Sequence, residues 1–147
     1  MNDQFKQAVI GGIIAGVVKD VPNAILHHYP RLVEITLWDY AGGIALGRLP
    51  QGFGEHVYAF FLEILFSIFL GFIFVNLPVR NDYEHYRLQG IFFGAFVWFI
   101  IRAAVLAFDI QILLGENLST SVINLIVSMF YGCVLACSIK YLDEKLP

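Results

Sequence analysis

The stretch HVYAFFLEILFSIFLGFIFVNL, residues 56–77, decides the fold class of this chain. Its residues are apolar over nearly the whole length, and Pro78 follows directly and ends the run. A helix needs about 20 predominantly apolar residues to cross the hydrocarbon core of a bilayer. We therefore predict that residues 56–77 form a transmembrane helix.

The rest of the chain is similarly apolar. Of its 147 residues, 59% are hydrophobic and 14% are charged, and the mean hydropathy is +0.72. A soluble domain carries about 25% charged residues, so the surplus apolar surface must face lipid. Four stretches are long enough to span a bilayer, at about residues 5–26, 56–77, 88–110 and 119–142. We predict one all-α domain over residues 1–147, an integral membrane four-helix bundle.

The basic residues in the loops and near the ends of the spans predict the orientation of this bundle. Five basic residues lie on the side of the termini and two lie on the opposite side: Lys6, Arg80, Arg87, Lys140 and Lys145 against Arg31 and Arg48. Cytoplasmic loops of membrane proteins carry an excess of Lys and Arg. We therefore expect a multi-pass protein of a cell membrane with both termini in the cytoplasm.

The long loop between the first two spans contains an amphipathic pattern. In RLVEITLWDYAGGIALGRLP, residues 31–50, apolar residues repeat at helical spacing. This predicts a helix at about residues 31–47 that lies in the membrane interface, with Trp38 and Tyr40 at headgroup depth. A re-entrant hairpin that breaks at Gly42–Gly43 is the alternative, because irregular backbone is tolerated at membrane depth when protein or water covers it.

Five of the ionisable residues within the predicted spans are candidates for an intramembrane charged cluster. They are Lys19 and Asp20 in the first, Glu63 in the second, and Arg102 and Asp109 in the third. A lone charge at membrane depth costs at least about 2.5–3.5 kcal/mol, so such residues usually face the bundle interior and pair. We predict a charged cluster in which Asp20 and Glu63 balance Lys19 and Arg102. Three interpretations stay open: structural pairing of helices, a route for protons or ions, and a site for a lipid headgroup or small anion.

Pro22 raises the question of whether the first span ends early, since it follows directly on GVVKDV at residues 16–21. Proline has no backbone N–H, and its ring crowds the carbonyl of the residue four positions earlier, which here is Val18. We expect the helix to kink between Val18 and Pro22 and to continue beyond the kink.

Small and polar residues mark the helix faces that are expected to pack. The first and third spans each contain a GxxxG motif, formed by Gly12 with Gly16 and by Gly90 with Gly94. Such motifs let two helix backbones approach closely. The fourth span has a polar seam that includes Asn124 and Ser128, at the spacing of a helix–helix interface. We predict that these faces are contact surfaces, either to a second copy of the chain or to a larger membrane partner.

No recognised catalytic or metal-binding motif is present in the sequence. His27, His28 and His56 are only weak metal candidates, because their spacing matches no zinc pattern. The net charge of -3 excludes a strongly basic nucleic-acid surface. We therefore expect no cofactor, no metal and no nucleic-acid partner, and an enzyme is the least favoured class.

Three stretches carry a resemblance to a known family. They are AVIGGIIAG at residues 8–16, GIFFGAFVW at residues 90–98 and LSTSVINLIVSMFYGCVLACSIKYL at residues 118–142. Together with the plan of four spans, they resemble the small bacterial membrane proteins labelled YqhR. That family has no established activity, so the resemblance implies a fold and a bacterial inner-membrane setting, and it carries over no functional residues.

Two function classes follow from these patterns. The first is a structural or assembly subunit, surrounded by membrane lipids, that self-associates or packs against a larger membrane partner. The alternative is a transporter or channel-like component that moves protons, ions or a small anion through the charged cluster.

Overall fold

The computed structural model describes residues 3–28, 33–77 and 85–145. Within these ranges the chain forms six helices and no strand: α1 Asp3–His28, α2 Leu37–Leu46, α3 Gly52–Val75, α4 Tyr86–Ala107, α5 Gln111–Leu114 and α6 Leu118–Lys145. Four of them, α1, α3, α4 and α6, are long and apolar enough to cross a membrane. This confirms the predicted all-α bundle of four spans.

Extensive contacts join α3 to α1, α1 to α6, and α6 to α4, so the four spans pack around one interior in that order. Near one end, the ring of Phe74 on α3 contacts the rings of Tyr86 and Phe93 on α4, at centroid distances of 5.7 and 5.2 Å. Near the other end, α2 packs against α3. Because successive spans run in opposite directions, Asp3 at the start of α1 and Lys145 at the end of α6 lie on one side of the bundle. We call this the terminal side and the opposite one the α2 side.

Glycines allow the closest helix contacts. A Cβ atom at Gly12 would lie 2.6 Å from Ile68 Cα on α3, and one at Gly16 would lie 3.0 Å from Ser67 Oγ. In the same way, Gly90 and Gly94 of α4 lie against the backbone of α6. Both GxxxG faces are therefore occupied inside one chain, because the interior surfaces of the bundle use them. This corrects the expectation that they join the chain to a second copy.

α1 is a single helix from Asp3 to His28, and it continues on both sides of Pro22. The first span therefore does not end at this proline, and the charged pair that precedes it lies within the span. α3 begins at Gly52, earlier than predicted, because the carboxylate of Glu55 accepts a hydrogen bond of 2.7 Å from the backbone N–H of Gln51. α4 ends at Ala107, earlier than predicted, and Asp109 beyond it has a left-handed backbone with φ of 49°.

α2 is shorter than the predicted helix over residues 31–47, of which residues 31 and 32 lie outside the described part of the chain. It begins at Leu37 because the Asp39 carboxylate accepts hydrogen bonds from the backbone N–H and the hydroxyl of Thr36, at 2.9 and 2.6 Å. It is helical through Gly42–Gly43. The alternative prediction, a re-entrant hairpin that breaks at these glycines, is therefore wrong. Gly42 lies against Pro50 and against Ala59 of α3, which holds α2 on the bundle.

Tyr40 has a different environment from the one that the sequence predicts. Its side chain is only 4% exposed, and its ring packs edge-on against Trp98 of α4 at a centroid distance of 5.4 Å. Tyr40 therefore faces the protein interior and not the lipid headgroups. α2 thus packs between α3 and α4 on the α2 side.

Candidate functional site

The bundle interior contains two separate groups of buried polar and charged side chains. The first, which we call the charged cluster, consists of Lys19, Asp20 and Glu63. The second, which we call the polar clamp, consists of Asn23, Tyr40, Arg102, Glu116 and Asn124. The charged cluster joins α1 to α3, and the polar clamp joins α2 and the segment before α6 to the spans.

The charged cluster is built around one ammonium group. Lys19 Nζ lies 2.6 Å from Asp20 Oδ1 and 2.5 Å from Glu63 Oε1. All three residues are almost fully buried, with exposed fractions of 5%, 6% and 5%. Lys19 and Asp20 are neighbours in the sequence, and α1–α3 packing through Gly12 and Gly16 brings Glu63 to them. The structure therefore brings together three of the five residues predicted for this cluster.

The formal charges of the cluster do not balance. One ammonium group contacts two carboxylates, so the fully ionised cluster has a net charge of minus one. In addition, Oδ2 of Asp20 and Oε2 of Glu63 are buried without a hydrogen-bond partner in the described part of the chain. A buried charge in a protein is normally paired and fully hydrogen-bonded. One more positive charge, a proton being the smallest, would neutralise this site.

Hydroxyl groups continue from the cluster toward the terminal side. Ser67, one helical turn after Glu63, donates a hydrogen bond of 2.7 Å to the carbonyl oxygen of Gly12. The Tyr131 hydroxyl on α6 lies 3.1 Å from Ser67 Oγ and 3.1 Å from the Ser67 carbonyl oxygen. Ser128, from the predicted polar seam, is buried one turn before Tyr131. These side chains form the polar part of the wall on which Glu63 lies.

Two cavities meet the charged cluster from different directions. The lateral cavity, of about 290 Å³, lies beneath α2 between α3 and α4, and its lining includes Lys19 and Glu63. The second, which we call the α2-side groove, has about 590 Å³ between α1, α2 and α3, and its lining includes Asp20. Its rim carries His27, His28 and His56. The cluster therefore separates a cavity between the spans from a groove at the α2 side.

Arg102 belongs to the polar clamp and not to the charged cluster. Its Nη1 lies 3.3 Å from Glu116 Oε2, and it donates hydrogen bonds to the Tyr40 hydroxyl at 3.0 Å and to the Leu113 carbonyl oxygen at 2.8 Å. The expected pairing of Arg102 with Asp20 or Glu63 is therefore wrong. Lys19 already holds both of those carboxylates, and Glu116 lies closer to the guanidinium.

Two asparagines complete the polar clamp. Asn23 Nδ2 donates to Asn124 Oδ1 at 3.0 Å, and Asn23 Oδ1 accepts from the backbone N–H of Leu37 at 3.1 Å. Asn124 Nδ2 donates to the carbonyl oxygen of Ile35 and to Glu116 Oε1, at 3.1 and 3.0 Å. The clamp thus satisfies the backbone that leads into α2 and fixes that helix against α1, α4 and α6.

Tyr40 connects the clamp to the lateral cavity, because its ring lines that cavity while its hydroxyl contacts Arg102. Burial raises the pKa of the Tyr40 hydroxyl well above its usual range, and the nearby Glu116 carboxylate raises it further. The Arg102 guanidinium acts in the opposite direction on that pKa, with a smaller effect. Tyr40 is therefore a neutral hydroxyl at any physiological pH.

Sequence reasoning missed Glu116. It lies between α5 and α6, outside every predicted span, yet its side chain is 0% exposed. The only available signal was a carboxylate directly before the polar seam of the fourth span. Asp109, in contrast, was expected in the cluster, but it is exposed in the turn after α4 and lies apart from it.

The three weak metal candidates lie along the α2-side groove. His27 Nδ1 is 2.8 Å from the carbonyl oxygen of Val33, and the ring centroids of His27 and His28 are 5.7 Å apart. His56 Nδ1 lies 3.7 Å from Asp39 Oδ1. Among residues 3–28, 33–77 and 85–145, no three or more His, Cys, Asp or Glu residues are grouped as a metal would require.

No protein-family model matches the chain, and no curated protein or solved structure matches it either. The resemblance to the YqhR proteins therefore stays a prediction.

Proposed function

We propose that this protein is a small multi-pass membrane transporter or channel-like component that exchanges a proton at the charged cluster. The observation that carries the proposal is the uneven charge of that cluster at the meeting point of two cavities. Lys19 contacts Asp20 and Glu63 at once, and each carboxylate keeps one buried oxygen without a partner among the described residues.

The energetic cost of the second carboxylate supports this proposal. If Lys19 served only to hold α1 against α3, one carboxylate would neutralise it. A further buried charge costs at least about 2.5–3.5 kcal/mol on membrane-insertion scales. A proton that binds one of the two carboxylates removes that cost, and its release restores the charge. Buried ionisable residues in spans frequently form proton relays for this reason.

The surroundings of the cluster supply access on the α2 side. Asp20 lines the α2-side groove, whose rim carries three histidines and Asp39. Imidazole nitrogens both accept and donate protons, which suits these side chains to proton exchange with the groove. On the other face, Glu63 lines the lateral cavity, which extends toward the terminal side as far as Leu70. The ionisable groups that face Glu63 are Lys19 and Asp20 from α1, Tyr131 from α6 and Tyr40 from α2.

The other function class, a structural or assembly subunit, has less support because its predicted contact surfaces are buried inside the chain. The glycines of α1 and α4 pack against α3 and α6 of the same chain, and Asn124 and Ser128 are buried in the same interior. A homo-oligomer or a larger complex would therefore need other surfaces. Large apolar side chains cover the outside of the spans, as on Phe92, Phe96 and Phe99 of α4, and we assign this surface to membrane lipids.

We also propose the orientation and the membrane. The excess of Lys and Arg on the terminal side favours a cytoplasmic location for both chain ends. The bacterial inner membrane is the setting that the resemblance implies. In this orientation, the α2-side groove and its histidines open to the outside of the cell.

The test is proton flux in liposomes that contain a pH-sensitive dye, driven by an imposed membrane potential. We expect the wild type and Glu55→Gln to pass protons. The proton flux of Glu63→Gln should be at least tenfold lower than that of the wild type. Glu55 is the matched control, because it is a carboxylate on the same helix that pairs with exposed Arg48 outside the cluster. Asp20→Asn, on α1, removes the other carboxylate of the cluster and so tests the same net charge.

Glu63→Gln is expected to stay folded, because Asp20 still neutralises Lys19 in that variant. The melting temperature of Glu63→Gln in detergent is therefore measured together with the flux, to verify that the variant is folded. A wild type without flux above empty liposomes contradicts the proposal, and so does a folded Glu63→Gln variant with unchanged flux.

A further inference from the structure

The lateral cavity combines apolar walls with one charged end. Its roof is α2, with Ala41 and Ile44, and its sides are Phe66 of α3 and Val97 of α4. Lys19 and Glu63 line the end that lies deepest in the bundle, against α1. Its volume of about 290 Å³ is at the lower limit of small-molecule sites, which measure about 300–1,000 Å³.

The cavity faces the surrounding bilayer between α3 and α4. Two residues of its lining are partly exposed on the outer surface, Ile44 by 61% and Phe66 by 42%. Toward the terminal side, Phe74 packs on Phe93 and brings the two spans together. A molecule dissolved in the bilayer can therefore reach the cavity sideways, between α2 and the Phe74–Phe93 contact.

We infer that the lateral cavity binds a hydrophobic organic monocation from the membrane, with its positive group toward Glu63 and its apolar body against α2, α3 and α4. Charge complementarity between the cavity and its ligand supports this inference. The ionised cluster lacks one positive charge, and Glu63 Oε2 is buried without a partner in residues 3–28, 33–77 and 85–145. A monocation supplies that charge, and the walls remove its apolar surface from water.

Two tyrosines favour a cation over a neutral molecule of the same shape. Tyr40 and Tyr131 both line the cavity. Their hydroxyl groups already form hydrogen bonds, with Arg102 and with Ser67 respectively, so the rings are the parts left for a ligand. Aromatic faces attract cations through the ring quadrupole.

This inference rests on the proposed function, because the proton and the organic cation neutralise the same charge at Glu63. The two therefore compete, and binding of the cation displaces the proton. Since a higher pH removes the proton, it strengthens cation binding. The substrate class that follows is a lipophilic cation that the protein exchanges against a proton.

The first experiment measures binding by calorimetry to the purified full chain in detergent. The probe is benzyltrimethylammonium, and the matched neutral probe is neopentylbenzene, in which carbon replaces the nitrogen. We expect the cation to bind the wild type and Glu55→Gln at least tenfold more tightly than the neutral probe does. In Glu63→Gln this preference should disappear, because Lys19 and Asp20 then balance each other. Equal affinity for both probes, or an unchanged cation affinity in folded Glu63→Gln, overturns the inference.

A second variant tests the cavity without changing any charge. Ala41→Phe places a ring from α2 into the space, and we expect it to weaken cation binding at least tenfold. Its melting temperature verifies that α2 is still packed. A folded Ala41→Phe variant with wild-type affinity means that the cation binds elsewhere, which also overturns the inference.

The failures of the two proposals are distinguishable. Proton flux in liposomes without any organic cation tests the proposed function alone. Flux that requires Glu63, together with no binding of benzyltrimethylammonium, refutes the cation site and keeps the proton exchange. Glu63-dependent binding of the cation without proton flux in any condition refutes the exchange and leaves a cation-binding membrane protein.

Discussion

The charged cluster and the polar clamp are both buried, and both contain one basic side chain, but their chemistry differs. In the clamp, Arg102 meets a single carboxylate, Glu116, and also donates to the Leu113 carbonyl oxygen and the Tyr40 hydroxyl. In the cluster, Lys19 meets two carboxylates. The clamp is therefore neutral when fully ionised, and the cluster is not.

This difference separates a structural group from a candidate functional one. The clamp bonds to backbone atoms next to α2, so its role in the fold is visible in its contacts. The cluster bonds to no backbone atom in the described part of the chain, and it lines two cavities. Buried groups with strongly perturbed electrostatics in a cavity are candidates for function.

The largest effect is expected for Lys19→Met. It removes the one cation of the cluster and leaves Asp20 and Glu63 facing each other in the bundle interior. Removal of one partner from a buried ion pair costs about 3–5 kcal/mol of unfolding free energy in soluble proteins, and we expect a loss of that size here. Thermal unfolding in detergent measures it, with Lys6→Met at an exposed position of α1 as the control. A Lys19→Met protein as stable as the wild type would show that the cluster does not carry its ionic charges.

The next effect is expected for Glu116→Gln, compared with Glu63→Gln. Glu116→Gln keeps the shape but leaves the Arg102 guanidinium without its carboxylate, so we expect a loss of about 2 kcal/mol, as for a hydrogen bond to a charged group. Glu63→Gln should change the unfolding free energy by less than about 1 kcal/mol, since Asp20 remains beside Lys19. Unfolding of both variants under one condition measures the difference. Equal losses would remove the distinction between the two groups.

The smallest effect is expected for Tyr40→Phe, which removes one hydroxyl from the clamp. The loss of its hydrogen bond to Arg102 should cost about 1 kcal/mol at neutral pH. Because the pKa of the folded-state Tyr40 hydroxyl lies above that of the unfolded chain, this hydroxyl stabilises the fold below about pH 10 and loses that contribution as the pH rises further. Melting temperatures between pH 8 and 11 should therefore fall less steeply in Tyr40→Phe than in the wild type. Parallel curves would contradict the buried position of Tyr40.

Much of the charged cluster could be predicted from the sequence. Lys19, Asp20 and Glu63 stand out because each interrupts an apolar span, and the cost of a lone charge in a membrane requires that they meet. The partner of Arg102 could not be predicted, since Glu116 lies in a short segment outside the spans. Only the packing of α5 and α6 against α4 places its carboxylate at the guanidinium. Asp109 shows the same limit, because the end of α4 at Ala107 removes it from the helix face that heptad spacing assigns to it.

The sequence by itself determined the membrane class, the four spans and the buried location of Lys19, Asp20 and Glu63. These properties depend on hydropathy along the chain, because each segment that crosses a bilayer must be apolar over its own length. Only the tertiary structure decided which helices the glycines join, where α2 packs, and that one lysine meets two carboxylates beside a cavity. These features depend on contacts between residues far apart in the chain. Their geometry follows from how side chains of particular shapes fit together in one interior, and no pattern along a single helix contains that information.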